Sequence, residues 1–234
     1  MLNMSISLGK RQLVDSIWKS AGIEGLGTTF PNTEKILENL PVETKRDEVL
    51  FIINMKNAWY FLFENIELPN NLMFLRELNR ICMKDLSFDA GNIRTLPVSI
   101  GGTSWKPEQP REGIILSELD RIDKISDKID SALEMFCYIT RTQMFLDGNK
   151  RVAQLMCNKI LMENDIGILS IPYEEIGKFK ELLVNFYESN NQTMLKAFLK
   201  ESCLMLNPEY MQRNEGNTLK KETEVTNKPK HRSR

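Results

Sequence analysis

At 234 residues with 41% hydrophobic content, the chain is long enough to bury one substantial core, and a single domain is the expectation. A formal net charge of −1 gives no electrostatic argument for a nucleic-acid or membrane partner. The four cysteines, Cys82, Cys137, Cys157 and Cys203, lie far apart in mostly apolar contexts, with no C-x-x-C pair and no histidine to complete a zinc site, so they read as buried free thiols of a protein in the reducing cytoplasm.

The N-terminal stretch lacks the charged-then-apolar order of a signal peptide, and no run reaches the roughly 18 apolar residues of a membrane span. Leu13, Ile17, Trp18 and Ala21 share one side of a first helix over about 9–21. Gly22 and Gly25 suit its left-handed stop, and Glu24 beside them reads in isolation as a capping or solvated carboxylate. The stretch from Thr29 to Thr33 breaks the chain, and Asn32 or Thr33 caps a short helix ending before Pro41. Residues 45–64 predict a longer helix whose apolar residues are too many for one narrow stripe, which puts it at the centre of the core. Pro69 or Asn71 starts the next helix, through about Lys84.

From 91 to 110 the character changes. Two short β-type runs between Arg94 and Trp105 flank Gly101-Gly102, a dipeptide suited to a tight hairpin turn, and Pro97 restricts the first run to a sheet edge. A lone two-stranded hairpin is marginal, so this edge is available to a partner strand. Helical spacing then runs from Ile115 to Phe136, reaching towards Thr140, with an interruption near Ser126.

The stretch from Arg141 to Leu155 sets an acid, a glycine, an asparagine and two cations before an amphipathic helix over about 150–163. Its apolar stripe is Val152, Ala153, Leu155, Met156, Ile160 and Leu161, and Asn149 is its natural N-cap. A helix N-terminus leaves backbone N–H groups unpaired and carries about half a positive charge, so an anion gains hydrogen bonds and dipole attraction there. Gly148 permits close backbone approach, Lys150 and Arg151 add full charges, and Asp147 is a hard oxygen ligand suited to holding magnesium against phosphates. The bland alternative is a capping loop with solvated cations. Beyond it, 164–172 is a turn and a short extended run, and helices over about 173–189 and 191–204 complete an all-α bundle. The domain is thus set at 1–206, with 207–234 as a flexible basic tail; from Arg213 on it has seven Lys/Arg against three Asp/Glu.

Phe145-Leu-Asp-Gly-Asn-Lys-Arg151 resembles the core of the Fic family signature, His-x-Phe-x-Asp/Glu-Gly-Asn-Gly/Lys-Arg-x-x-Arg, placed here over 143–154. Ser20-x-x-x-Glu24-Gly25, on a helix over about 9–24, is similar to the family's inhibitory motif, [Ser/Thr]-x-x-x-Glu-[Gly/Asn]. The likeness extends from about residue 10 to 205. It implies a Fic-like helical bundle of about eight helices with one β-hairpin flap over about 92–106. The flap near Gly101-Gly102 would hold a target protein by strand addition. It also implies ATP or another nucleotide with Mg²⁺, and transfer of AMP to a protein hydroxyl. The catalytic positions implied are Gln143, Asp147, Asn149 and Arg151; the nucleotide-binding ones are Gly148, Asn149, Lys150, Arg151 and Gln154. Asp147 is the implied metal ligand, and Ser20, Glu24 and Gly25 the regulatory residues.

Two departures sit inside the signature. The family histidine, the proton acceptor, is Gln143, and the final arginine is Gln154; the chain's single histidine, His231, lies in the tail. A glutamine amide accepts a hydrogen bond but is no base near neutral pH, and general-base catalysis supplies roughly 10²- to 10⁴-fold. In the family the inhibitory glutamate pairs with the arginine replaced here, blocking the γ-phosphate. Facing an amide instead, Glu24 needs another cation, of which Arg151 is the nearest in sequence. These residues favour a nucleotide- or phosphate-binding protein with impaired catalysis. The alternative is an active adenylyltransferase, or a transferase of another phosphate group, in which Gln143 positions the hydroxyl. A third reading retains the fold alone. Nucleotide identity, target and oligomeric state stay open, a homo-oligomer included.

Overall fold

The computed structural model describes residues 3–213, so the part of the expected tail from 214 onward, with His231, lies outside the described residues. Helices α1 (Met4–Arg11) and α2 (Leu13–Ile23) divide the first expected helix at Gln12. There follow α3 (Phe30–Leu37), α4 (Arg46–Glu64), α5 (Leu72–Cys82), α6 (Glu112–Asp123), α7 (Lys128–Thr142), α8 (Asn149–Glu163), α9 (Ile176–Ser189) and α10 (Thr193–Ser202). The break read near Ser126 separates α6 from α7, and Asp127 restarts the helix by accepting from the backbone N–H groups of Ile129 and Asp130. Asn71 caps α5, accepting from the Phe74 N–H at 3.0 Å. The cap of α3 is Thr29 rather than Asn32 or Thr33, because Pro31 is tolerated in a first turn, where its missing N–H has no intrahelical partner to lose.

The centre of the bundle is α8, not α4. Twelve of the 15 residues of α8 are buried against nine of the 19 in α4, and α8 packs on α7, α5, α4 and α1. Polar residues hide this in the sequence. Lys159, fully buried, donates to the Ile66 carbonyl at 2.9 Å and to Glu163 at 3.3 Å, while Asn158 exchanges two hydrogen bonds with the Leu169 backbone. Both of these buried side chains therefore have partners, as burial favours.

A two-stranded antiparallel ladder joins β1 (Gly167–Leu169) to β2 (Leu204–Leu206), in the register Gly167 to Leu206. It lies in the stretch read as extended after α8 and just beyond α10, not at 92–106. Among the described residues, 92–106 contain no strand; the expected turn is present, with Gly102 at φ 85°, but its arms are unpaired. Ordered chain also continues past the expected boundary at 206: buried Asn207 donates to Ser5 Oγ at 2.8 Å and to the Asp165 carbonyl at 2.7 Å. All four cysteines are free and buried. Among the described residues no helix is long and apolar enough to cross a membrane.

Candidate functional site

Helix α7 stops at Gln143, whose left-handed backbone (φ 47°, ψ 53°) turns the chain into a loop anchored by Met144 and Phe145, both fully buried. The loop re-enters helix at Gly148, the actual N-cap of α8, with φ 81° and no side-chain cap. Asn149, expected as the cap, is instead the first helical residue and ties the loop shut. Its Oδ1 accepts from the Phe145 N–H at 3.0 Å, while its Nδ2 donates to the Phe145 carbonyl at 2.8 Å and to Gln143 Oε1 at 3.1 Å. Glycine is required at 148 for two reasons: the positive φ, and a close approach to α5, where a Cβ would come within 2.9 Å of Met83 and Asn79. The uncapped end of α8 therefore presents its first N–H groups beside two cations.

Arg151 is almost fully buried and lies over the Phe51 ring at 5.2 Å. It donates to Asp147 at 3.3 Å and to the Cys82 carbonyl at 3.5 Å, yet its Nε has no hydrogen-bond partner. Glu24 supplies a second negative charge: its carboxylate lies 3.6 Å from that Nε and 3.0 Å from Lys150 Nζ. Asp147 points outward, its side chain 64% exposed, with Oδ1 also accepting from the Gly148 N–H. Burial pushes the neighbouring Cys82 thiol up to about 12.

Ser20 and Glu24 arrive on the end of α2. Gly25, at φ 79°, closes that helix in a left-handed stop in which Leu26 N–H reaches the Ala21 carbonyl at 2.9 Å. Gly22, read as part of the stop, is helical and packs closely on Tyr173 and Ile176. One turn before Glu24, Ser20 Oγ donates to Gln154 Oε1 at 3.0 Å. The two halves of this contact have thus separated: the serine meets the amide at 154, and the glutamate meets the cations at 150 and 151. An ion pair with a one-third-exposed lysine is worth about 0–1 kcal/mol, so the Lys150 half is a breakable contact.

Gln143 is held inward, Nε2 donating to the Thr140 carbonyl at 2.6 Å while Oε1 accepts from Asn149. A cleft of about 170 Å³ opens here, lined by Glu24, Gln143, Asp147, Asn149, Lys150 and, from the 92–106 segment, Val98 to Gly101. A wider groove of about 790 Å³ shares Glu24 and Lys150 and runs between Gly101-Gly102 and α9. Tyr187 lines both; burial pushes its hydroxyl well above the ordinary range.

Three contributors were not singled out from the sequence. Asn79 donates to the Asp147 carbonyl and accepts from Gly91 N–H, both at 2.8 Å, joining α5 to the loop before α8 and to the chain just before the flap. Tyr187 and Arg94 come from segments remote in sequence. An arginine fully buried without an apolar run around it gives no periodic signal, so only the folded arrangement reveals Arg94.

The Fic/DOC family model matches residues 70–161. The chain is similar to the protein adenylyltransferase Fic of Drosophila willistoni, 25% identical over 203 residues that cover 82% of this chain and 39% of that protein. It therefore spans about two fifths of that relative's length. Among solved structures, a fragment of Fic-1 from C. elegans has a TM-score of 0.68 at 21% identity, covering 83% of this chain and 61% of that one. A Fic domain containing signaling protein from Bacteroides thetaiotaomicron has a TM-score of 0.63 at 22% identity, with 76% of this chain and 72% of that one covered. Residues 70–161, which carry α5, the flap segment and the loop into α8, thus match the Fic/DOC family model, and the bundle around them has the Fic fold.

Proposed function

We propose that the protein binds a nucleotide or another phosphate-bearing anion at the N-terminus of α8, that Glu24 competes for this seat, and that group transfer is impaired at Gln143. The observation that carries the reading is the position of the Glu24 carboxylate, 3.0 Å from Lys150 and 3.6 Å from Arg151: an anion already faces the cations of an uncapped helix end. Fit to phosphate is supported by two independent features. The buried Arg151 Nε has no hydrogen-bond partner, and the backbone at Gly148 leaves space that a Cβ would close.

A divalent cation would rest on Asp147 together with the phosphate oxygens, because no cluster of three acidic, histidine or cysteine ligands exists among the described residues. Mg²⁺ suits such a site, since it is usually held by one or two carboxylates plus substrate phosphates, whose charge it neutralises. Lys150 and Arg151 orient the anion, and the 98–101 segment and Tyr187 wall the cleft against water.

The impairment rests on Gln143, whose amide donates to Thr140 and accepts from Asn149 and has no basic atom to receive a proton. AMP transfer to a protein, the activity named for the Drosophila relative, is the second reading. It is favoured by the outward, largely exposed Asp147 and requires Gln143 to position a target hydroxyl presented along Gly101-Gly102. Calorimetry with ATP and Mg²⁺ tests the main reading: Glu24→Gly should bind, more tightly than the unmodified protein. Absence of ATP, ADP and GTP binding by both proteins at millimolar concentrations would overturn it.

A further inference from the structure

Arg94, fully buried, makes all its side-chain hydrogen bonds to neutral acceptors. Nε donates to the Gln143 carbonyl at 2.6 Å, Nη1 to the Leu96 carbonyl at 2.9 Å and Nη2 to the Glu108 carbonyl at 2.6 Å. Leu96 lies on the flap's first arm and Glu108 just beyond its second, either side of the Gly101-Gly102 turn. One guanidinium therefore closes the base of the flap and, with its third edge, grips the residue at which α7 ends. The backbone repeats the connection: Arg94 N–H donates to the Met144 carbonyl at 3.0 Å, and Gln109 Nε2 returns to the Arg94 carbonyl at 2.5 Å.

A buried cation without a carboxylate carries a desolvation penalty that only good geometry offsets. A lysine, with one compact donor centre, cannot span three carbonyls set by a planar fork. The same bonds occupy the carbonyls that a β-hairpin would use near its base, which accounts for a flap with a turn but no ladder.

We propose that Arg94 is a positioning residue that makes the flap and the Gln143–Met144 turn one mechanical unit, so that the wall of the cleft and the residue at its catalytic position move together. The ligand consequence rests on the proposed function. Val98 to Gly101 line the cleft with Asn149 and Lys150, so a nucleotide large enough to touch the flap depends on the clamp, whereas pyrophosphate meets chiefly the cations and helix end.

The test uses the full chain carrying Glu24→Gly, with hydrogen exchange followed by mass spectrometry and calorimetry of ATP and of pyrophosphate. Adding Arg94→Met should raise exchange about tenfold or more in 95–109 and in 142–148 together, with the second half of α8 protected as before. It should weaken ATP about tenfold while leaving pyrophosphate within about twofold. Loosening of the flap alone, with 142–148 still protected, would overturn the proposal, as would equal weakening of the two ligands. If neither ligand binds before Arg94 is changed, the functional reading falls and the exchange pattern alone decides the clamp. Should Arg94→Met fail to fold, Gln109→Ala removes one bracket without leaving acceptors stripped of a charge; it should give the same paired pattern at lower amplitude, and a flap-only change there refutes the clamp.

Discussion

Glu24 sits one helical turn nearer the start of α8 than the family pairing implies, because position 154 holds an amide and the cations lie at 150 and 151. That shift changes what the carboxylate excludes. A glutamate facing 154 would compete with the γ-phosphate alone. A glutamate at the helix N-terminus competes with any phosphate group there, so Glu24→Gly should tighten ATP, ADP and pyrophosphate alike. Charge-assisted contacts of this kind are worth roughly 1.5–3 kcal/mol, on the order of 10- to 100-fold in Kd, and calorimetry reads the three ratios. Gln143→His should raise any modification of protein hydroxyls by about 10²- to 10⁴-fold, read as an AMP adduct by mass spectrometry. No adduct in the Glu24→Gly, Gln143→His double variant would put the lesion beyond this residue. The motif was legible because its residues are contiguous. Asn149's actual task was not, since a cap and a loop tie demand the same side chain and differ only in whether Gly148 takes the left-handed turn.

Among the elements, α2 and the flap were only half legible. Their ends were marked by Gly25 and Gly102, which do adopt left-handed backbone, but their partners come from distant chain. The expected hairpin lacks its ladder because Pro97 supplies no N–H and the Leu96 and Glu108 carbonyls are taken by Arg94. The central role of α8 was masked by Arg151, Asn158 and Lys159, which lower its apparent hydrophobicity yet are buried with partners. For the α2–α8 contact, Gln154→Arg is the informative change. A cation at 154 should draw in Glu24 and weaken ATP binding several-fold, and Glu24→Gly should restore it. ATP affinity unchanged across that pair would mean that α2 does not approach position 154 with its charge. Ser20→Ala removes a neutral hydrogen bond and should lower stability by about 1 kcal/mol, a loss of roughly 2–4 °C in Tm.

At the scale of the molecule, four buried thiols set the alkaline limit. Burial pushes Cys82, Cys137 and Cys203 up to about 12 and Cys157 well above its ordinary value of 9.0. Their folded pKa values exceed the unfolded ones, so the unfolded chain releases protons first. The associated stability is fully present below about pH 9 and falls as pH rises towards 12. For a fully buried thiol such as Cys82 the slope is about 1.4 kcal/mol per pH unit. Buried Tyr138 and Tyr187 act in the same direction, and Lys159, whose pKa burial lowers, acts in the opposite one. Thermal melts under reductant should therefore show a lower Tm at pH 10.5 than at pH 8, and Cys157→Ala should lessen the drop; a flat profile would contradict the burial of these thiols. Free, buried cysteines were readable from their apolar contexts, whereas the packing that seals them required the assembled bundle. The flap's tryptophan has one further consequence. Trp105 is stacked on Tyr187 at 5.5 Å and covered by the Arg141 guanidinium at 4.4 Å. An indole under a cation emits differently from one in water, so with Trp18 and Trp59 replaced by phenylalanine this single fluorophore becomes an optical gauge of whether the flap lies down on the bundle or lifts when a ligand enters.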